Sequence, residues 1–452
     1  MDTGDTAWIL VSTALVMLMT PGLALFYGGM VRAKSVINMM MMCFGALGVV
    51  SILWILYGYS IAYGESQGGL LGNPGDYFGL SGNMSEIMDN IPLMADVGFQ
   101  GMFAVITVAL IAGSIADRAN FWTWLVFAAV WMTVVYSPVA HWVWGEGGWI
   151  GELGAIDFAG GTAVHINAGA AGLALALVLG RRRDFGKGSH RPHNLPLVMI
   201  GAGLLWFGWF GFNGGSAYAA DAVAGVAIVN TIGATAAALL AWIIVEKLRD
   251  GHATSLGAAS GVVAGLVAIT PAAGAVNPVG SILIGAVAGV LCSLTVSLKF
   301  RLRYDDSLDV VGVHLVGGLV GTVAIGFLAT ETAPDGAQGL FFGGGVDLLW
   351  RQVVSVVAVM AFSFVLTYII GAILQKTIGF RIDDDHEVVG IDKVHHGESS
   401  YEIGPEDIPH DVMARVAQGP AKPVSTATPA AAPASTKRRI STGEGEASPA
   451  TG

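Results

Sequence analysis

The sequence predicts an all-α polytopic membrane protein of eleven transmembrane helices, and three observations carry that expectation. Apolar runs recur along the 452 residues at lengths near the roughly 20 needed to cross a bilayer. Charged residues are only 12% of the chain, against roughly 25% in soluble domains, and they cluster between those runs. The third observation is a phrase that occurs twice. His165 is followed by Gly169 and Gly172, and His314 by Gly318 and Gly321. Offsets of four and seven put each histidine and its glycines on one helix face.

The N-terminus carries Asp2 and Asp5 and no basic residue before Arg32. A secretory signal begins positive and has a shorter apolar core, so residues 7–29 read as a retained first helix. Further spans are expected at 36–62, 97–115, 121–142, 159–179, 195–215, 223–245, 255–271, 278–298, 310–330 and 347–374. Arg32, Lys34, Arg118, Arg181 to Arg183, Lys247, Lys299 and Arg303 all fall in alternate loops. The opposite loops hold Glu65, Asp76, Glu86, Asp89, Asp96, Glu146 and Glu152, and only Arg351 breaks the pattern. That bias sets the N-terminus outside and the C-terminus in the cytoplasm.

The repeated phrase falls on the fifth and tenth spans. It predicts two five-helix halves of opposite topology, 7–179 and 195–330, plus an extra helix at 347–374. Phe26-Tyr27-Gly28-Gly29 and Phe212-Asn213-Gly214-Gly215 end the first and sixth spans and support the same division. Each histidine then lies about 6 to 10 Å below opposite surfaces, leaving a gap of roughly 10 Å between them. Glycine, at 64 residues, is abundant enough for close helix packing in lipid. Residues 1–374 thus form the membrane domain. The charged stretch 375–404 reads as a cytoplasmic C-terminal region. The Pro-, Ala-, Ser- and Thr-rich tail 405–452 cannot bury a core and reads as disordered.

The histidines are the first chemical candidates. A single intramembrane histidine can be a packing residue bonded to a carbonyl, but two in matching repeat positions point to a pathway. Bis-histidine haem ligation is the alternative, with glycines making room for a porphyrin, although no other redox element accompanies it. No Lys, Arg, Asp or Glu stands near the middle of a span. A path with imidazoles and no carboxylates suits a small solute that is nearly neutral, or that gives up a proton on the way. Cys43 and Cys292 lie in apolar runs without metal or disulfide spacing, so neither cofactor nor metal is expected.

Aromatic residues cluster near the outer ends of the third, fourth and sixth spans: Phe103, Trp144 and Phe212, with Ser216 beside them. They read equally as an interfacial belt or as a cage binding a small cation through ring faces. Trp122, Trp124 and Trp149 read as belt. Asp157, just before the fifth span, reads mainly as an N-cap, with a site-shaping role as the alternative.

The stretches TPGLALFYGGMVRAK, GMFAVITVALIAG, HWVWG, DFAGGTAVHINAGAAG, RPHNLP, GWFGFNGGSA, ITPAAG, DVVGVHLVGGLVGT and GFRIDDDHEVVGIDKVHHGESSY run in order along the chain. Together they resemble the ammonium transporter family (Amt/Mep/Rh), specifically its bacterial Amt branch, over about residues 7 to 402. The resemblance implies ammonium or ammonia transport across the cytoplasmic membrane, with methylammonium as an analogue, and not an enzyme. It implies a homotrimer in the lipid bilayer, and a PII-type regulatory protein docking on the cytoplasmic face. Nucleic acid is not an expected partner. For the site it implies an outer recruitment site of Phe103, Trp144 and Ser216, a gate of Phe103 and Phe212, and His165 with His314 as the pore pair. Asp157, Tyr136, Trp209 and Thr270 match supporting positions. An ammonium sensor signalling through its tail is the other reading the resemblance leaves.

Overall fold

The computed structural model describes residues 1–187 and 191–401 and contains eleven helices long and apolar enough to cross a membrane. They are α1 Thr3–Met30, α2 Val36–Tyr63, α3 Leu93–Ile115, α4 Phe121–Glu152, α5 Gly161–Leu179 and α6 Leu195–Gly215. After them come α7 Ala222–Asp250, α8 Ser255–Ala272, α9 Pro278–Leu302, α10 Val311–Leu328 and α11 Asp347–Thr377. Every expected span is present, and α6 has the expected ends. The others differ because hydropathy does not see helix capping. Helix α1 starts at Thr3 because the Asp2 carboxylate accepts from the Gly4 and Asp5 amides. Helix α7 runs on through Lys247 and Arg249, cations that favour a helix C-terminus. The expected tail 405–452 lies outside the described residues.

Helices α1 and α6 pack together along their length, and glycine permits the approach: a Cβ on Gly201 would stand 2.3 Å from the Phe26 amide nitrogen. The repeated phrase does the same for α5 and α10. A Cβ on Gly169 would fall 2.5 Å from the Leu315 nitrogen, and one on Gly318 would fall 3.0 Å from the Gly161 carbonyl. These are the glycines four residues after each histidine. Their lack of a side chain lets the two helices cross at the histidine level.

Three expectations need correction. The histidines are not 10 Å apart, because α5 and α10 do not begin at the surface. Asp157 and Asp306, just before them, are both buried, so both helices start inside the protein. Asp96, assigned to a loop, lies in the first turn of α3 and is 2% exposed. Trp124, assigned to an interfacial belt, is fully buried and donates its indole N–H to the Met42 carbonyl at 2.8 Å, whereas Trp122 is 68% exposed. The exceptional Arg351 pairs with Asp347 one turn earlier on α11.

The C-terminal segment folds back over one face of the bundle, the face bearing the basic loops. The Phe380 carbonyl accepts from the Asn120 amide at 2.8 Å, and the Ile382 amide donates to the Arg118 carbonyl at 3.0 Å. Arg381 donates to the Leu179 and Arg181 carbonyls at the end of α5. A short helix, α12 Asp384–Val389, follows, and the Lys34 ammonium donates to the Val388 carbonyl. Asp392 then accepts from the Ile37 and Asn38 amides, capping the start of α2 from 354 residues away. The segment therefore touches the α1–α2, α3–α4 and α5–α6 connections at once.

Candidate functional site

The site begins with two carboxylates in equivalent places. Asp157 and Asp306 each precede their histidine by eight residues. Asp157 accepts from the amides of Gly160, Gly161, Thr162 and Ala163 and from the Thr162 hydroxyl. Asp306 accepts from the Val310 and Val311 amides. Both collect the free N–H groups at a helix start, where the dipole also favours a negative charge. Burial pushes both carboxyl groups above the ordinary carboxylate range. For Asp157 the Thr162 hydroxyl and the amides offset part of that rise, and for Asp306 the Lys299 ammonium does. Asp157 thus takes the capping role, and its carbonyl also accepts the Trp144 indole N–H at 2.8 Å. The Asp at minus eight in both phrases was the sequence signal that would have found Asp306.

Each histidine sits in a π-helical turn, Gly161–Ile166 and Val311–Leu315, the irregularity that helices use to redirect functional side chains. The two Nδ1 atoms are 3.3 Å apart and the rings are nearly parallel, 22° between planes. A direct ring-to-ring bond leaves no space for a porphyrin between them, which removes the haem alternative. One Nδ1 must donate and the other accept. One ring therefore carries its remaining Nε2 bare, and the other carries it protonated. The His165 Nε2 is buried with no protein partner.

Other aromatic rings continue the line. Trp209 stacks on His165 at 5.5 Å and is held by its N–H bond to the Thr270 hydroxyl at 2.8 Å. Phe212 follows at 6.2 Å from His165, and Phe103 stacks on Phe212 at 4.1 Å with 20° between planes. Trp144 meets Phe103 edge-on at 6.1 Å. Phe103, Phe212 and both histidines are buried, so the order Trp144, Phe103, Phe212, His165, His314 leads from a surface cavity into the core. Between Phe212 and the histidines lies a cavity of about 10 Å³ walled by aliphatic side chains, at the lower limit for one water-sized molecule. Tyr136 is buried elsewhere along α4, with its ring 6.1 Å from that of Trp54.

Above the stacked phenylalanines opens a vestibule of about 460 Å³, where Trp144, Phe103 and Ser216 share the wall. The Ser216 hydroxyl donates to the Phe212 carbonyl at 2.8 Å, which turns its oxygen lone pairs outward as acceptors. Asp96, Gln100, Tyr59 and Tyr218 also line this cavity, and sequence reasoning did not single them out. At the opposite end a cavity of about 250 Å³ is bordered by Arg32, Asp117, Arg182 and Lys299. There Arg182 bonds Asp305 at 2.8 Å and Asp117 at 2.9 Å. Burial raises the Asp305 carboxyl, but Arg182 and Arg118 outweigh it and hold it down at about 2. Among the described residues, no group of three or more His, Cys, Asp or Glu is placed to hold a metal ion.

Comparison with known proteins follows the same lines. A family model described as Ammonium Transporter Family matches residues 7–401. A Mycobacterium tuberculosis protein named ammonium transporter is 56% identical over 433 residues, covering 89% of this chain and 91% of the relative. One of the same name from Aquifex aeolicus is 50% identical, covering 89% and 94%. Among solved structures, Saccharomyces cerevisiae Mep2 superposes with a TM-score of 0.80 at 35% identity, covering 90% of this chain and 94% of the other. A chain described as a sensor Amt protein gives 0.80 at 29% identity, covering 86% and 97%.

Proposed function

The chain belongs to the Ammonium Transporter Family, and from that premise we propose that it carries ammonium across the cytoplasmic membrane by passing ammonia through the channel lined by His165 and His314. It is a multi-pass membrane protein and a transporter, not an enzyme. In this reading the vestibule opens outside, and the basic face with its folded-back C-terminal segment is cytoplasmic, as the distribution of Lys and Arg favours.

Ammonium enters the vestibule and settles against Trp144 and Phe103, with the Ser216 oxygen accepting one N–H. Ring faces replace part of its hydration shell. The stacked Phe103 and Phe212 rings are the gate. No carboxylate lies beyond them to neutralise a dehydrated cation, so at the gate the ammonium N–H bond breaks, the proton passes to solvent water in the vestibule, and the nitrogen keeps its electron pair and moves on as ammonia. Ammonia then meets the histidine pair, which offers one bare Nε2 and one Nε2–H. Ammonia can both accept and donate and so satisfies both, whereas ammonium has no lone pair for the N–H. Trp209, fixed by Thr270, holds the His165 ring in plane; Asp157 holds α5 and the Trp144 indole, and Tyr136 backs the aromatic wall. The imidazoles relay the proton separately.

The observation that carries this reading is the continuous buried line from the Phe103–Phe212 stack to the directly bonded histidines. Exposed aliphatic rows such as Leu240 and Ile244 on α7 and Ile282 and Leu283 on α9 face lipid or neighbouring copies in a homotrimer. The C-terminal segment, touching three connections at once, is the place for a PII-type regulator to act. The test is the full-length protein in liposomes, with ammonium-triggered current and internal pH followed together. Ammonium uptake without any response to His165→Ala or His314→Ala would refute the path.

A further inference from the structure

We propose that the vestibule contains a second cation subsite, centred on Asp96 and separate from the Trp144 site, that takes a small monovalent cation with N–H donors, ammonium or methylammonium. This rests on the transport reading above and deepens it. Asp96, Gln100 and Phe103 lie at offsets of four and seven on α3, so they share a face. Seven residues at about 1.5 Å each put Asp96 about 10 Å before the gate.

Asp96 is 2% exposed and accepts from the Tyr59 hydroxyl at 2.6 Å and the Tyr218 hydroxyl at 2.7 Å. Two phenols solvate a carboxylate but do not neutralise it. Among the described residues no Lys or Arg lines the vestibule, while Asp89 and Glu146 add two more carboxylates. A buried carboxylate is seldom left without a positive partner, because the desolvation cost is then uncompensated. A first-turn position gives Asp96 some help from the helix dipole, worth about 1 kcal/mol, which is not enough alone.

A second observation points to a ligand. Tyr218 gives its one proton to Asp96, so it must accept from Gln100, and the Gln100 amide N–H does donate to it at 2.6 Å. That fixes the amide orientation. The Gln100 carbonyl oxygen is then left buried and unpartnered on a residue only 6% exposed that lines the same cavity. The Tyr63 hydroxyl is likewise unpartnered there. Tyr218 keeps its place in a left-handed backbone conformation, φ +59°, uncommon for a bulky residue and held only where surroundings demand it. The cluster therefore presents a carboxylate, an unpaired amide oxygen, a phenol oxygen and ring faces, and no positive charge, to a cation of charge one. A calcium-like ion wants six to eight oxygens at close range, and this cluster does not supply them.

The test compares full-length wild type, Asp96→Asn and Gln100→Leu. Thermal stabilisation of the purified protein is titrated with ammonium chloride against matched sodium chloride, and current is read separately in liposomes. The half-saturating ammonium concentration should rise roughly tenfold in Asp96→Asn, the scale of one lost charge-assisted hydrogen bond. Gln100→Leu should shift it in the same direction by less, and maximal current at saturating ammonium should persist in both. An unchanged half-saturation in Asp96→Asn overturns the subsite; if that variant does not assemble, an unchanged value in Gln100→Leu does so. A wild type that binds ammonium through Asp96 yet passes no current sinks the transport reading and leaves the subsite standing.

Discussion

Replacing the channel histidines one at a time and together tests whether they work as a unit. The rings are joined by one Nδ1–Nδ1 bond of 3.3 Å, and each is buried among aliphatic and aromatic neighbours. Removing either ring destroys that bond and the tautomer order it imposes, so the remaining imidazole no longer offers a matched donor and acceptor. A buried polar partner left unmatched costs about 2 kcal/mol, which is roughly thirtyfold in rate for proton-linked ammonium transport. His165→Ala and His314→Ala should each show that loss while still assembling. If the pair is one relay, the double variant falls only a few-fold below either single. Independent histidines would instead give about 4 kcal/mol, close to a thousandfold. Current and uptake in liposomes, at matched protein density, separate the two cases. Additive losses would refute the paired relay, and full transport in both singles would return the histidines to helix packing.

Other perturbations reach the remaining parts. Trp144→Leu should keep the fold but weaken ammonium and methylammonium affinity by up to roughly thirtyfold, about 2 kcal/mol of desolvated cation–π contact; unchanged concentration dependence would leave the ring as belt only. Ending the chain after Gly404 should leave transport intact, whereas ending it after Gln375 removes the segment bonded to Lys34, Asn38 and Arg118 and should alter it. Equal activity in the two truncations would reject that division. Asp305 is held at about 2 in the fold, below its ordinary 3.8, so its contribution of about 2 kcal/mol is fully present above pH 4 and is lost as pH falls toward 2. The stability gap between wild type and Asp305→Asn should therefore shrink on acidification from pH 6 to 3, and a gap constant across that range would contradict the assignment.

Much of this architecture was legible because membrane helices announce themselves. A helix in lipid must be apolar along its length, so α6 could be read to the residue and most others to within about five, whereas α4 runs ten residues past its expected end. The histidine pair was also legible, through glycines at matched offsets. Its geometry was not. Rise per residue counted from an assumed surface put the rings roughly 10 Å apart. Hydropathy treats residues 153–158 and 303–309 as loops and cannot see that Asp157 and Asp306 within them are sunk into the protein. Asp96 was misplaced for a related reason: a carboxylate beside an apolar run looks like the end of a span. What makes its burial possible is the donation of two phenols distant in sequence, Tyr59 on α2 and Tyr218 in the connection between α6 and α7.

The recessed helix starts also bear on why the proposed path has no carboxylate at its centre. Amides at the start of a helix must find acceptors, and here they lie at buried positions. Asp157 and Asp306 supply them, one from each repeat, and in doing so let α5 and α10 begin below the surface. The negative charges stay at the two mouths, eight residues before each histidine, beyond direct contact with the rings. Between them the walls are apolar, the only offered polar atoms are imidazole nitrogens, and the open space is about 10 Å³. A cation leaving its hydration shell there would find no compensating charge and pay several kcal/mol in desolvation. A neutral molecule that can donate and accept one hydrogen bond would not. In the proposed transport path, a preference for ammonia over ammonium would thus follow from where the repeats put their carboxylates as much as from the histidines themselves.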